Sequence, residues 1–269
     1  MLFDFLSDAE LDWSFSRGLI KETLEILKWY DQNSLVANPA KFQVIFPGSP
    51  NLEIELNLNG YLLNSSSNVK LLGINIDDKL MFLPHVKELT KRANNKIKAL
   101  LRINNYISKS RRNILFNTFI MSFFNYCPLV WTFCSKQANS LLQKCHFRAL
   151  RARLMDFSSS YENLLERGET TSLHVRNLRL MLEEVFKSFH GLGPPIFHDI
   201  FHVKKLSYSL RSGLLFQIPT SKVHVNSFEF RAIMAWNHLP KHLKDTESFN
   251  RFRRSLKTIN IYCNCKACS

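Results

Sequence analysis

The sequence predicts an α+β fold, with a small mixed N-terminal region followed by a mainly helical remainder, and three observations carry that expectation. Residues 52–58 alternate strictly, Leu52, Ile54, Leu56 and Leu58 standing between Glu53, Glu55 and Asn57, which is the period of a strand with one buried face. From Leu83 onward the apolar residues step by three and four instead, the period of a helix. With 269 residues and 45% hydrophobic content, the chain has enough apolar material for one large core or two to three small ones.

Taken in order, Arg17 to Gln32 places Leu19, Ile20, Leu24, Leu27 and Trp29 near a helical period, with Lys21, Glu22, Glu25 and Lys28 between them, and predicts an amphipathic helix. Asn38-Pro39 ends that region. "KFQVIF" reads as a short apolar strand, "NLEIELNLNG" as a half-buried strand that turns at Asn59-Gly60, "SSSN" as a loop, and "VKLLGINI" as a third strand ending at Asp77. In the helical region, Val86, Leu89, Ala93, Ile97 and Leu100 form one face, while Lys87, Lys91, Lys98 and Arg102 step along another. Further helices are predicted from Ser110 to about Asn125, from Lys136 to Arg153 and from Val175 to His190, the last stopped by "GLGPP". A mixed tail follows, with a final amphipathic helix around Ser248 to Thr258.

Charge is distributed unevenly. Residues 1–86 carry 6 basic and 11 acidic side chains, residues 87–153 carry 14 and 1, and residues 154–269 carry 16 and 10, within a total of +14. The middle window holds a single acid, Glu88, in apolar-patterned sequence. A block of that density is expected to form a positive surface for a polyanion, RNA or DNA. Lys87, Lys91, Lys98 and Arg102, flanked by Arg92 and Lys96, and then Lys109, Arg111 and Arg112 at the start of the next helix, are the candidate phosphate contacts.

The cysteines form no evident disulfide framework, and "MLFDFLSDAELDW" is acidic, without the shape of a signal peptide; the expectation is an intracellular protein of nucleus or cytoplasm, not a secreted one. Asn113 to Ser135 is uncharged and long enough to span a bilayer, but Asn113, Asn117, Asn125 and Pro128 interrupt it, and basic residues flank both ends. A buried helix and no membrane partner are expected. Cys263, Cys265 and Cys268 form a C-x-C-x2-C, which offers three soft ligands and no fourth nearby. The balance favours terminal thiols over zinc. There is no H-E-x-x-H, G-x-S-x-G, Walker loop or dinucleotide fingerprint.

Asp77 and Asp78, in "NIDD", raise the question of a polymerase. Two-metal polymerases need carboxylates on neighbouring strands. In reverse transcriptases the tetrad begins with an aromatic residue and has a further aspartate roughly a hundred residues upstream; here Asn75 takes the aromatic position, and upstream acids stop at Asp4. The pair is therefore expected to close a strand and begin a turn.

Six segments in one order, "LKWYDQNSLVANPAKFQVIFPG", "VKLLGINIDDKLMFLPHV", "NYCPLVW", "LLQKCHFRALR", "HGLGPPIFHDIF" and "AWNHLPKHLKDTESFNRFRRSLK", together resemble the C-terminal part of a jockey-type non-LTR retrotransposon reverse transcriptase, over roughly residues 20 to 268. The resemblance implies a palm remnant at 1–81, a helical thumb at 82–155 and a mainly helical C-terminal domain at 156–269. It implies that Lys41 matches the lysine that could give a proton to pyrophosphate, and that Leu72 and Gly73 centre the primer-grip hairpin. It also implies that the basic helices track primer-template duplex. The family's catalytic aspartates, which hold magnesium, have no counterpart here. The expectation is thus a truncated, non-catalytic nucleic-acid-binding fragment needing no cofactor, the alternative being the C-terminal portion of a longer active RNA-directed DNA polymerase.

Overall fold

The computed structural model describes residues 8–48, 53–58, 60–195, 200–203, 214–219, 227–261, 263 and 265, and the chain divides into two units, Met1–Leu80 and Met81–Ser269. Its architecture is α+β, with two small antiparallel hairpins and a predominance of helix.

In the first unit, helix α1 (Asp8–Gln32) starts earlier than its periodicity suggests, because "DAELDWSFSR" holds no Gly or Pro to stop it. "KFQVIF" does not become a strand. A 3-10 turn (Pro39–Lys41) opens it, and Val44 alone pairs, in a parallel bridge to Ser65. One neighbouring backbone donor is met by a side chain instead, Lys70 N–H donating to Gln43 Oε1 at 3.1 Å. Strands β1 (Glu55–Leu58) and β2 (Tyr61–Asn64) form a hairpin in the register Leu58 to Tyr61, turning at the expected Asn-Gly, where Gly60 takes a φ of +90°. Leu56 and Leu58 are buried, as the alternation requires.

"VKLLGINI" is two strands rather than one. Strands β3 (Asn68–Leu71) and β4 (Ile74–Asp77) pair in the register Leu71 to Ile74, and Leu72 and Gly73 take φ values of +48° and +86° in the turn. Period alone misreads this segment because Leu, unlike Asn, gives no turn signal at a left-handed position. Asp77 and Asp78 are both buried at the hairpin's end, where Asp78 N–H donates to Ser67 O and Asp78 O accepts from Gly48 N–H.

The second unit begins with α2 (Leu83–Ile103), whose buried residues include all five of the stripe Val86, Leu89, Ala93, Ile97 and Leu100. Then come α3 (Lys109–Leu115), a π-helical turn (Phe116–Met121) and α4 (Ser122–Asn125), which together make the helical run expected there. Cys127 breaks it with a φ of +42°, and α5 (Pro128–Trp131) restarts at the proline. The uncharged 113–135 segment is therefore interrupted, and among the described residues no helix is long and apolar enough to cross a membrane. Helices α6 (Lys136–Leu154), α7 (Tyr161–Arg167), α8 (Leu173–Phe189), α9 (Phe228–Asn237), α10 (Lys241–Lys244) and α11 (Phe249–Ser255) complete the unit. Ser108, Ser135, Ser160, Ser172 and Ser227 each cap the helix that follows, the hydroxyl accepting the third backbone N–H.

Helices α2 and α6 run side by side in the same direction. Ser135 N–H donates to Met81 O at their starts, Cys145 Sγ lies 3.8 Å from Thr90 O midway, and Asn104 Nδ2 donates to Ala152 O at their ends. The buried stripe of α6 is Ala138, Leu142, Cys145, Ala149 and Ala152, mostly small residues that let two backbones approach. A second core lies between α8, α9, α10 and α11. There, Phe201, Phe216, Trp236, Phe252 and Phe186 form a chain of rings with centroids 4.5–5.8 Å apart. Asn237 ties the 214–219 segment to this core by accepting from Phe216 N–H and donating to Phe216 O.

His146 on α6 is buried, with Nδ1 2.8 Å from Tyr161 Oη. Burial, with the Arg176 and Arg153 charges adding to it, lowers its pKa to about 4. Because the unfolded chain binds this proton more readily, the stability it contributes is complete above its ordinary value of 6.5 and is lost as pH falls toward 4. Thermal unfolding at pH 7 and pH 5 should show a decline within a full-range limit of roughly 3 kcal/mol. His146→Gln should flatten that decline, and an equal slope in the variant would contradict this origin.

Candidate functional site

Helix geometry sets Lys87, Lys91, Lys98 and Arg102 within a sector of about 60° on α2, roughly opposite the stripe that packs into the core. All four are exposed, and the stripe extends for about 22 Å. The same heptad-like spacing that buries Val86, Ala93 and Leu100 therefore displays the cations. Lys96 is exposed on the flank. Arg92 is also exposed, but it faces two partners, the Glu88 carboxylate at 3.9 Å and the ring of Phe123 at 5.2 Å. At the start of α3, Lys109 and Arg111 are exposed, so the basic surface continues past the 3-10 turn Asn104–Tyr106.

Arg112 differs. It is half-buried and donates through Nη1 to Arg153 O at 3.3 Å, which ties α3 to the end of α6. Arg153 is equally engaged: its Nε donates to Asn113 Oδ1 at 3.0 Å, its Nη1 to Gly168 O at 3.2 Å, and its guanidinium lies over the Phe116 ring. Arg151 lies over the ring of Phe147 at 4.0 Å. Several charges of the basic block thus hold helices together. Lys144 and Arg148, one turn apart on α6, are exposed and add cations that a face count on α2 alone leaves out. Their four-residue spacing was the available signal.

The remaining expected site residues lie in the first unit. Lys41 is exposed at the end of its 3-10 turn, Leu72 and Gly73 are exposed at the β3–β4 turn, and Asp77 and Asp78 are buried at the opposite end of that hairpin, beside Asn68 and Ser67.

The terminal cysteines are not isolated. Cys265 Sγ lies 3.4 Å from Nε2 of His174, in the first turn of α8, and these two atoms and Cys263 Sγ all fall within 4.8 Å of one another. Cys265 is buried, while Cys263 and His174 are half-buried; Cys268 lies outside the described residues. Of the other described cysteines, Cys127 is exposed, and Cys134 and Cys145 are buried packing groups. Burial raises Cys145 to about 11 and Cys134 to about 12, so both stay protonated and unreactive near neutral pH.

The two kinds of arginine should separate by measurement. Arg112→Ala leaves the Arg153 carbonyl without that donor and should cost about 1–2 kcal/mol, a fall of several degrees in Tm. Lys98→Ala, at an exposed position, should leave Tm unchanged. Equal losses in both variants would contradict the distinction between structural and displayed charge.

No family model, curated protein or solved structure matches this chain.

Proposed function

We propose that this chain is the duplex-binding part of a reverse transcriptase of the jockey-type non-LTR retrotransposon kind, and that it holds RNA or DNA primer-template without carrying out polymerisation itself. The resemblance of the six ordered segments supports the family. In this reading, 1–81 is palm with its primer-grip turn at Leu72 and Gly73, 82–155 is thumb and 156–269 the C-terminal domain. The observation that carries duplex binding is the row of exposed cations on α2, continued by Lys109 and Arg111 on α3.

Mechanistically the binding is electrostatic. A rigid helix whose opposite face is fixed in a core presents its ammonium and guanidinium groups at set intervals, and each phosphate it neutralises releases condensed counterion. Phosphate contacts position without specifying, so little sequence preference follows. Within these residues the acids closest to a polymerase pattern, Asp77 and Asp78, are buried, which supports binding without catalysis.

Titration of the full chain with RNA–DNA hybrid and DNA duplex at several salt concentrations tests the reading. About four to six contacts imply a log–log slope of roughly −4 to −5, a loss on the order of 10²–10³-fold between 50 and 200 mM salt. Combined Lys91→Ala, Lys98→Ala and Arg102→Ala should flatten the slope by about 2 to 3 units and weaken all sequences alike. Affinity indifferent to salt, or unchanged in the triple variant, would reduce the basic face to a solvated surface.

A further inference from the structure

We propose that His174, Cys263 and Cys265 bind a structural zinc ion that fastens the C-terminal tail to the start of α8. By sequence, the C-x-C-x2-C lacks a partner, since its other ligand stands 91 residues away. The fold supplies that partner. The tail after α11 packs Ile259, Ile261 and Cys263 against the second core, and Lys257 O accepts from Arg179 Nη2 at 3.2 Å. From Arg179 to His174 is about 7.5 Å along α8. A tail held at Arg179 and running toward the helix start therefore brings its cysteines to the His174 ring.

The geometry agrees with one tetrahedral ion. Zinc–sulfur and zinc–nitrogen bonds of about 2.3 and 2.1 Å at a tetrahedral angle separate the two ligand atoms by about 3.6 Å. The Cys265 Sγ to His174 Nε2 separation is 3.4 Å, and all three donor atoms lie within 4.8 Å of one another. Among the described residues, this is the one group of three His, Cys, Asp or Glu donors so placed. Two thiolates and an imidazole are a soft set that selects zinc over magnesium or calcium. Zinc entry releases the two thiol protons to solvent and leaves His174 neutral, with its Nε2 lone pair on the metal. His174 also lines a cavity of about 400 Å³, together with Trp131, Thr132 and Tyr161.

This site is independent of duplex binding. The full chain, purified under reducing conditions without chelator, should carry one zinc per chain after dialysis, measured by elemental analysis. Removing the metal should lower Tm by several degrees, and zinc should restore it where magnesium does not. His174→Ala and the pair Cys263→Ser, Cys265→Ser should each lose the metal, while Cys127→Ser, at an exposed position on another segment, should keep it. Cobalt substitution of the unaltered chain avoids any folding defect of the variants. It should give a thiolate-to-cobalt charge-transfer band and the visible intensity of a tetrahedral ion. Absence of bound zinc and of that spectrum, or full retention of zinc in His174→Ala, would overturn the assignment.

Discussion

The parallel packing of α2 on α6 is the constraint from which the rest of the helical unit follows. Two adjacent helices running in the same direction need a connection that travels the whole length back, and α3, the π-helical turn, α4 and α5 provide it. Close approach requires small side chains at the seam, supplied by Ala138, Cys145, Ala149 and Ala152 on α6 and Ala93 on α2. Asn104 closes the far end through Ala152 O, with its amide inside the protein where water cannot compete. With one face of α2 so committed, the opposite face is left to solvent, and it is the face that carries the cations.

The return path is held by half-buried arginines. Arg112, Arg153 and Arg176 donate to backbone or amide oxygens at helix ends, Arg176 reaching both Phe124 O and Asn125 Oδ1 where α4 stops. These guanidiniums satisfy carbonyls that a helix terminus leaves without partners, and their planar forks suit the task better than lysine would. A strongly basic sequence thus divides its charge between two jobs. Arginine concentrates where several oxygens converge, and lysine predominates on the outward stripe of α2.

Much of this was legible in the sequence wherever one period dominates. The buried stripe of α2 and the alternation of β1 could be read directly, because each face of those elements has a single environment. The period alone failed where a local residue overrode it, as at Leu72 and Gly73, where a turn that only the family resemblance implied divides an apolar run, and in "KFQVIF", where one bridge and a glutamine side chain replace a ladder. Helices α7, α9 and α10 were missed because they are short and their stability comes from the core they enter. Half-buried and exposed arginines look alike in a charge count. The meeting of His174 with Cys263 and Cys265 depends on how a tail docks, which no local pattern encodes.

The central claim is that the outward face of α2 meets nucleic-acid phosphate, and lysine acetylation in the presence and absence of duplex tests it most directly. Each lysine reports on its own amine by mass spectrometry, so the contact is located instead of inferred from affinity. The account predicts that duplex at low salt protects Lys87, Lys91 and Lys98, while exposed Lys21 and Lys28 on α1 keep their reactivity. Unchanged reactivity along α2 under saturating duplex, or protection confined to lysines elsewhere, would contradict it.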